Sequence, residues 1–168
     1  MEAYMQKIYF QDLYLPDRAD CWGCGRNNAD GLHIKSYWDG DEAICDFLPR
    51  PYFTGHKGIL NGGIIATLMD CHCMGLAMAA AHRAEDRQIG SEPLITYVTA
   101  SLKVDYLKPA PLGDDPVSIR AHITKVDGRK TFMACSLYAQ GEECARGEVL
   151  AIRLRGAPDK TQENQPQE

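Results

Sequence analysis

"LNGGIIATLMDCHCMGLAMAAA", residues 60–81, contains a run from Ile64 to Ala81 in which nearly every side chain is apolar or small. One carboxylate, Asp70, sits in its middle. An amphipathic helix buries a single stripe, but this run is apolar on all sides, so the helix it predicts must be wrapped by other structure. A charge there costs several kcal/mol if it is buried without a partner. Asp70 therefore either pairs with a core donor or an arginine and fixes register, or is held for chemistry.

The residues that open the run sharpen the choice. Asn61 is a good N-cap, and Gly62 and Gly63 keep side chains away from the first turn. That leaves unpaired backbone N–H groups open to a ligand oxygen, as an oxyanion hole requires. The plainer reading is a capped helix whose glycines permit close packing. Asp70 lies eight residues after Gly62, on the helix face below the glycines. A substrate that meets one subunit's glycines and another subunit's Asp70 is also compatible with this spacing.

Outward from the helix the pattern is β. Upstream, Leu32 to Tyr37 and Glu42 to Leu48 read as strands around an Asp39-Gly40 turn, and "PRPYFTGHKG" is a loop leading into the helix. Downstream, "HRAEDRQIGSEP" leads out. Four alternating runs follow: Leu94 to Tyr106, Val117 to Val126, Lys130 to Ala139 and Glu143 to Leu154. Val117, Ile119, Ala121 and Ile123 should face the core, with Ser118, Arg120, His122 and Thr124 facing water. The "VDGRK" and "QGEE" turns make these runs antiparallel neighbours. The expected architecture is α+β, with a curled antiparallel sheet around one long helix. Residues 1–20 read as an N-terminal extension with a short helix broken at Pro16, 21–155 as the domain, and 156–168 as a disordered tail.

Bulk properties narrow the partners. A chain of 168 residues with 45% apolar and 24% charged residues can bury an ordinary core. A net charge of -5 argues against a nucleic-acid backbone as ligand. The interruptions at Asn61, Asp70 and His72 argue against a membrane span. The N-terminus has neither a secretory nor a transit pattern, and seven cysteines in a chain of this size favour reduced thiols, so a cytoplasmic location is expected.

"GHKGILNGGIIATLMDCHCMG", then "VTASLKVDYLKPAPLG", then "ITKVDGRKTFMACSLYAQGEECARGEVLAIRL" resemble, in order, the hotdog-fold acyl-CoA thioesterases. They are most similar to the phenylacetate-pathway type and the mammalian thioesterase-superfamily members, over about residues 21–155. The resemblance implies a sheet wrapped around the helix and homodimers whose sheets join edge to edge, with dimers pairing into tetramers in some members. It also implies active sites at the subunit interface. The acid matching Asp70 activates water or attacks the thioester carbonyl, amides matching Gly62 or Gly63 hold the oxyanion, and Thr99 places the nucleophile or its water. Asn61 stands where these families usually have His; an amide can donate a hydrogen bond or orient a water but carries no proton away. His56, just upstream, is a candidate substitute. No cofactor is expected beyond the coenzyme A of the acyl-CoA substrate.

Coenzyme A carries phosphates, and the basic candidates to meet them are Lys57, Lys103, Lys108, Arg129 and Lys130. Cys21-x-x-Cys24 invites a zinc reading, but zinc needs more ligands, to be recruited from Cys45, Cys71 or Cys73, and no metal is expected. Cys71, His72 and Cys73 point in different directions on a helix and read as packing. The Ala/Met stripe after residue 74 reads as core whose far end can line an acyl tunnel. Two other functions fit the same fold: acyl-CoA binding without cleavage, which Asn61 favours and Asp70 disfavours, and a hydratase or dehydratase, which on such folds pairs a His with an acid.

Overall fold

A computed structural model describes residues 7–155; the expected disordered tail at 156–168 lies outside the described residues. The elements run β1 (Tyr37–Asp39), β2 (Glu42–Phe47), α1 (Gly62–Ala84), β3 (Tyr97–Tyr106), β4 (Val117–Asp127), β5 (Lys130–Ala139) and β6 (Glu142–Arg153). They form one antiparallel sheet in the order β1-β2-β4-β5-β6-β3. Helix α1 packs against β2 through β6, which is the wrapping its all-round apolarity demands. It is the one helix among the described residues long and apolar enough to cross a membrane, and it forms the centre of this core instead.

The alternation read in β4 holds. Val117, Ile119 and Ala121 are buried while Arg120, His122 and Thr124 are exposed. Two of the three hairpin turns sit one residue later than the Asp-Gly pairs suggest. Gly40-Asp41 and Gly128-Arg129 are the loop residues, with the glycine first and at positive φ. In the third, Gln140 and Gly141 both have positive φ.

Three expected elements differ from the sequence reading. Residues 32–36 pair with the preceding turn, Leu32 N–H to the Trp22 carbonyl and Ile34 N–H to the Gly23 carbonyl, and His33 between them has a φ of 55°, so β1 is confined to Tyr37–Asp39. Leu94–Thr96 precede β3: the Leu94 N–H bonds the Glu92 side chain, and the pairing with the last strand closes at Thr96, whose carbonyl accepts the Leu154 N–H. Where a short helix ending at Pro16 was expected, a 3-10 turn spans Phe10–Leu13 and Pro16 opens a second one. This segment is anchored: Phe10 and Gln11 are buried, and the Gln11 side chain bonds both the Ser36 N–H and its hydroxyl.

Candidate active site

Asp70 leaves α1 toward β3, where the Thr99 hydroxyl donates to its carboxylate at 2.6 Å. It is half-buried, and Thr99 is its only side-chain partner among the described residues. Among the described residues no arginine neutralises it, and the carboxylate is held by one hydrogen bond at the rim of the core.

A β-bulge aims Thr99. In the pairing of β3 with β6, Thr99 faces Ala151 and Ser101 faces Leu150, so Ala100 is an extra residue. Before the bulge the odd positions, Tyr97 and Thr99, turn toward α1. After it the even positions do, and Leu102 and Val104 pack on the core. In a straight strand without the bulge, Thr99 would share the outer face with Lys103 and Asp105.

The helix start is built as the sequence indicates, with one refinement. Asn61 Oδ1 accepts the Gly63 N–H at 2.8 Å and the Ile64 N–H at 3.3 Å. Gly63 is thereby removed as a free donor, and the Gly62 N–H is the amide left without an acceptor among the described residues. Its peptide partner, the Asn61 carbonyl, accepts from the Ile65 N–H, which polarises the Gly62 amide further. Asn61 Nδ2 keeps its hydrogens for a ligand.

Tyr106, at the far end of β3, was not singled out in the sequence. Its hydroxyl donates to the Gly62 carbonyl at 2.7 Å, and its ring lies where a Cβ on Gly62 would come to 3.3 Å. A side chain at position 62 would press on the Tyr106 ring. His56, Gly62, Tyr106 and Lys108 line one cleft.

The remaining basic candidates do not all converge there. Lys108 is ion-paired with Glu142 at 2.8 Å, and Lys103 with Asp105 at 2.9 Å. Lys57 lines a neighbouring groove. Arg129 and Lys130 sit at the opposite end of the sheet. There the row Thr131–Ala151–Thr99 puts them two strands, about 10 Å, from Thr99.

The two halves of the expected site are also apart. Eight helical residues separate Gly62 from Asp70, about 12 Å along the axis, and Asn61 is one residue further. A thioester carbonyl cannot touch both within one subunit.

Beyond Asp70 a cavity of about 150 Å³ is lined by Tyr14, Met78, His82, Leu94, Ile95 and Thr96, among others. Asp70, Met74 and Met78 follow one another at i, i+4 and i+8, so one helix face leads from the carboxylate to this cavity.

His72 is a core residue, as read. Its Nε2–H donates to the Ala43 carbonyl, so Nδ1 accepts the Ser36 hydroxyl at 2.8 Å. Burial lowers its pKa to about 4. The cysteines are all free thiols. Cys71 is paired with Cys21, their Sγ atoms 3.9 Å apart. That hydrogen bond lowers the Cys21 thiol to about 5 and pushes Cys71 up.

The model of the thioesterase superfamily matches residues 57–145, which include Gly62, Asp70, Thr99 and Tyr106. The chain belongs to the thioesterase superfamily. A thioesterase superfamily protein from Shewanella loihica PV-4 is 34% identical, with a TM-score of 0.62, over 84% of this chain and all of that one. The PaaI protein of the E. coli phenylacetic acid degradation operon, 15% identical with a TM-score of 0.61 over 76% of this chain and 84% of its own, shares the fold. The bovine acyl-coenzyme A thioesterase THEM4 is 26% identical over 165 residues, 92% of this chain and 61% of the relative. The chain thus spans less than two thirds of the length of the curated relatives it matches. The hotdog arrangement and family membership expected from the sequence are both borne out.

Proposed function

We propose that this superfamily member hydrolyses acyl-CoA thioesters to free acid and coenzyme A, in sites shared between two subunits. The observation that carries this reading is the layout of β3. One end holds Thr99 against Asp70, and the other holds Tyr106 against Gly62. Among the described residues β3 is the last strand of the sheet and its outer edge is unpaired, with Val98 and Tyr106 exposed. A long bare edge is a surface for pairing. Antiparallel two-fold pairing of β3 with its copy sets the Asp70 end of one subunit beside the Gly62 end of the other. The 12 Å gap within a chain is then bridged across the interface, and both groups of basic residues fall near each composite site.

In that site the partner subunit's Gly62 N–H receives the thioester oxygen as negative charge develops on it. The Thr99 hydroxyl spends its hydrogen on Asp70, leaving its lone pairs to accept a hydrogen bond from the attacking water. Asp70 takes that water's proton, the C–S bond breaks, and the coenzyme A thiolate departs and is protonated from solvent. Direct attack by Asp70 through a mixed anhydride is the competing route. Asn61 caps the helix and offers Nδ2 to the thioester beside Gly62. Lys108 stands on the cleft rim for coenzyme A phosphates, and the cavity at Met78 takes the acyl end. A hydratase needs a His beside the acid, and Asp70 has Thr99 there.

Complementation tests the shared site. Asp70→Asn and Gly62→Val subunits are each inactive; after co-refolding in equal amounts, half of the dimers are mixed and each mixed dimer has one intact site. About a quarter of wild-type thioester hydrolysis returns. Wild-type protein that releases no thiol from short, long or aryl acyl-CoA would leave only binding without cleavage. Activity in the wild type but none in the mixture would overturn the shared site.

A further inference from the structure

The superfamily chemistry leaves one cluster unused. Cys21, Cys24 and Cys71 come from segments some 50 residues apart, yet their sulfurs all lie within 4.8 Å of one another. From the convergence of these three sulfurs we infer a binding site for a thiophilic divalent cation, zinc first, with Cys21, Cys24 and Cys71 as ligands and a fourth position facing solvent. The sequence supplied the Cys-x-x-Cys pair and left Cys45, Cys71 and Cys73 open as further ligands; the fold selects Cys71 by laying residues 19–34 across α1 there.

Sulfurs bound at ~2.3 Å to a tetrahedral zinc stand about 3.8 Å apart. The Cys21–Cys71 separation is 3.9 Å, so contraction of the Cys24 edges by less than 1 Å completes a three-sulfur face. The backbone is shaped around it. Residues 22–24 form a turn that brings the two sulfurs of the Cys-x-x-Cys pair together. The Gly25 N–H closes that turn onto the Cys21 carbonyl at 2.7 Å. A Cβ on Gly23 would run into Cys71 Sγ, so the glycine is what admits the third sulfur. Cys21 is exposed, which gives the ion an entry path. Three soft ligands with an open position suit zinc and exclude magnesium and calcium. Each thiol that coordinates releases its proton to solvent.

The consequence is mechanical. Cys71 follows Asp70 directly, so the ion would clamp the 19–34 segment onto the turn of helix that carries the acid.

The test uses the full chain, reduced, stripped with a chelator and kept anaerobic, with Co²⁺ as the spectroscopic probe and Zn²⁺ as its competitor. The expected result is about one Co²⁺ per chain with thiolate-to-cobalt charge-transfer and tetrahedral d–d absorption, displaced by Zn²⁺. Cys21→Ser, at the exposed ligand, should weaken binding by more than about a hundredfold, beyond the loss of an outer-shell partner. Cys45→Ser and Cys144→Ser, which remove buried thiols elsewhere, should leave it unchanged. Zn²⁺ should raise the Tm of the wild type and not of Cys21→Ser. Absence of the charge-transfer band, or equal binding by wild type and Cys21→Ser, overturns the site. So does recovery of the reduced protein with its three thiols equally reactive toward a disulfide reagent with and without Zn²⁺. None of these readouts depends on thioester hydrolysis.

Discussion

Replacing Asp70 by Asn removes one negative charge and leaves the shape of its surroundings in place. The Asn carbonyl oxygen can still accept the Thr99 hydroxyl, which now stands 2.6 Å from the carboxylate. Asp70 is half-buried and has no ion-pair partner among the described residues, so no cation is orphaned by the change. Stability should move by less than about 1 kcal/mol, a Tm shift within about 4 °C for a domain of this size. Turnover should behave differently. Loss of a general base or carboxylate nucleophile costs at least about a hundredfold, or roughly 2.7 kcal/mol of barrier. Thr99→Val keeps the side-chain volume and deletes a hydrogen bond to a charged acceptor, about 1.5–3 kcal/mol of positioning, so kcat/KM should fall about ten- to a hundredfold. Because Thr99 and Asp70 hold the attacking water as one unit, the double variant should be far less slowed than the product of the two single losses. The assay is continuous thiol release from acyl-CoA with a thiol-reactive dye, alongside thermal unfolding of each variant. Wild-type turnover by Asp70→Asn on every accepted thioester would refute the assignment, and additive losses in the double variant would refute the pairing.

Two further outcomes follow from neighbouring geometry. His72 is held neutral in the fold at a pKa of about 4, against an ordinary value of 6.5, so the unfolded chain binds the proton first as pH falls. Wild-type stability should therefore drop by about 3 kcal/mol between pH 6.5 and 4, and His72→Gln should flatten that slope in urea titrations near pH 7 and about pH 4.5. Met78→Trp, filling the cavity some 12 Å beyond Asp70, should lower the kcat/KM ratio of long to short acyl chains by at least about tenfold; an unchanged ratio would remove the cavity from the acyl path.

The helix and five of the strands were legible in the residues because their signals are local. All-round apolarity from Ile64 to Ala81, alternation through β4 and β5, and turn residues between them each point to one structure. Asp70, Asn61 and Gly62 were legible for a related reason: a lone acid in an apolar helix and a cap followed by glycines are conspicuous in one dimension. What escaped is non-local. Tyr106 gains its role from a contact 44 residues away in sequence, and the choice of Cys71 over Cys45 or Cys73 beside Cys21 rests on a contact across 50 residues. Gly63 looked equivalent to Gly62 until the cap's oxygen was seen to take one amide and leave the other. The parity break between Thr99 and Leu102 was present in the run but reads as ordinary alternation until the register with β6 is known.

That parity break changes how the strand must be counted. Ala100 is exposed and contributes no side chain to the chemistry, yet it marks where the strand changes parity. Deleting it would make Thr99 and Ser101 consecutive rungs opposite Ala151 and Leu150, with Thr99 and Leu102 still facing the helix. Flattening the bulge with Ala100 kept in the ladder would instead turn one half of β3 inside out relative to the other. Any transplant of this acid–threonine pair into another barrel-like sheet has to take the kink and its odd residue together or leave both behind, since the recipient frame is set by number rather than by letter.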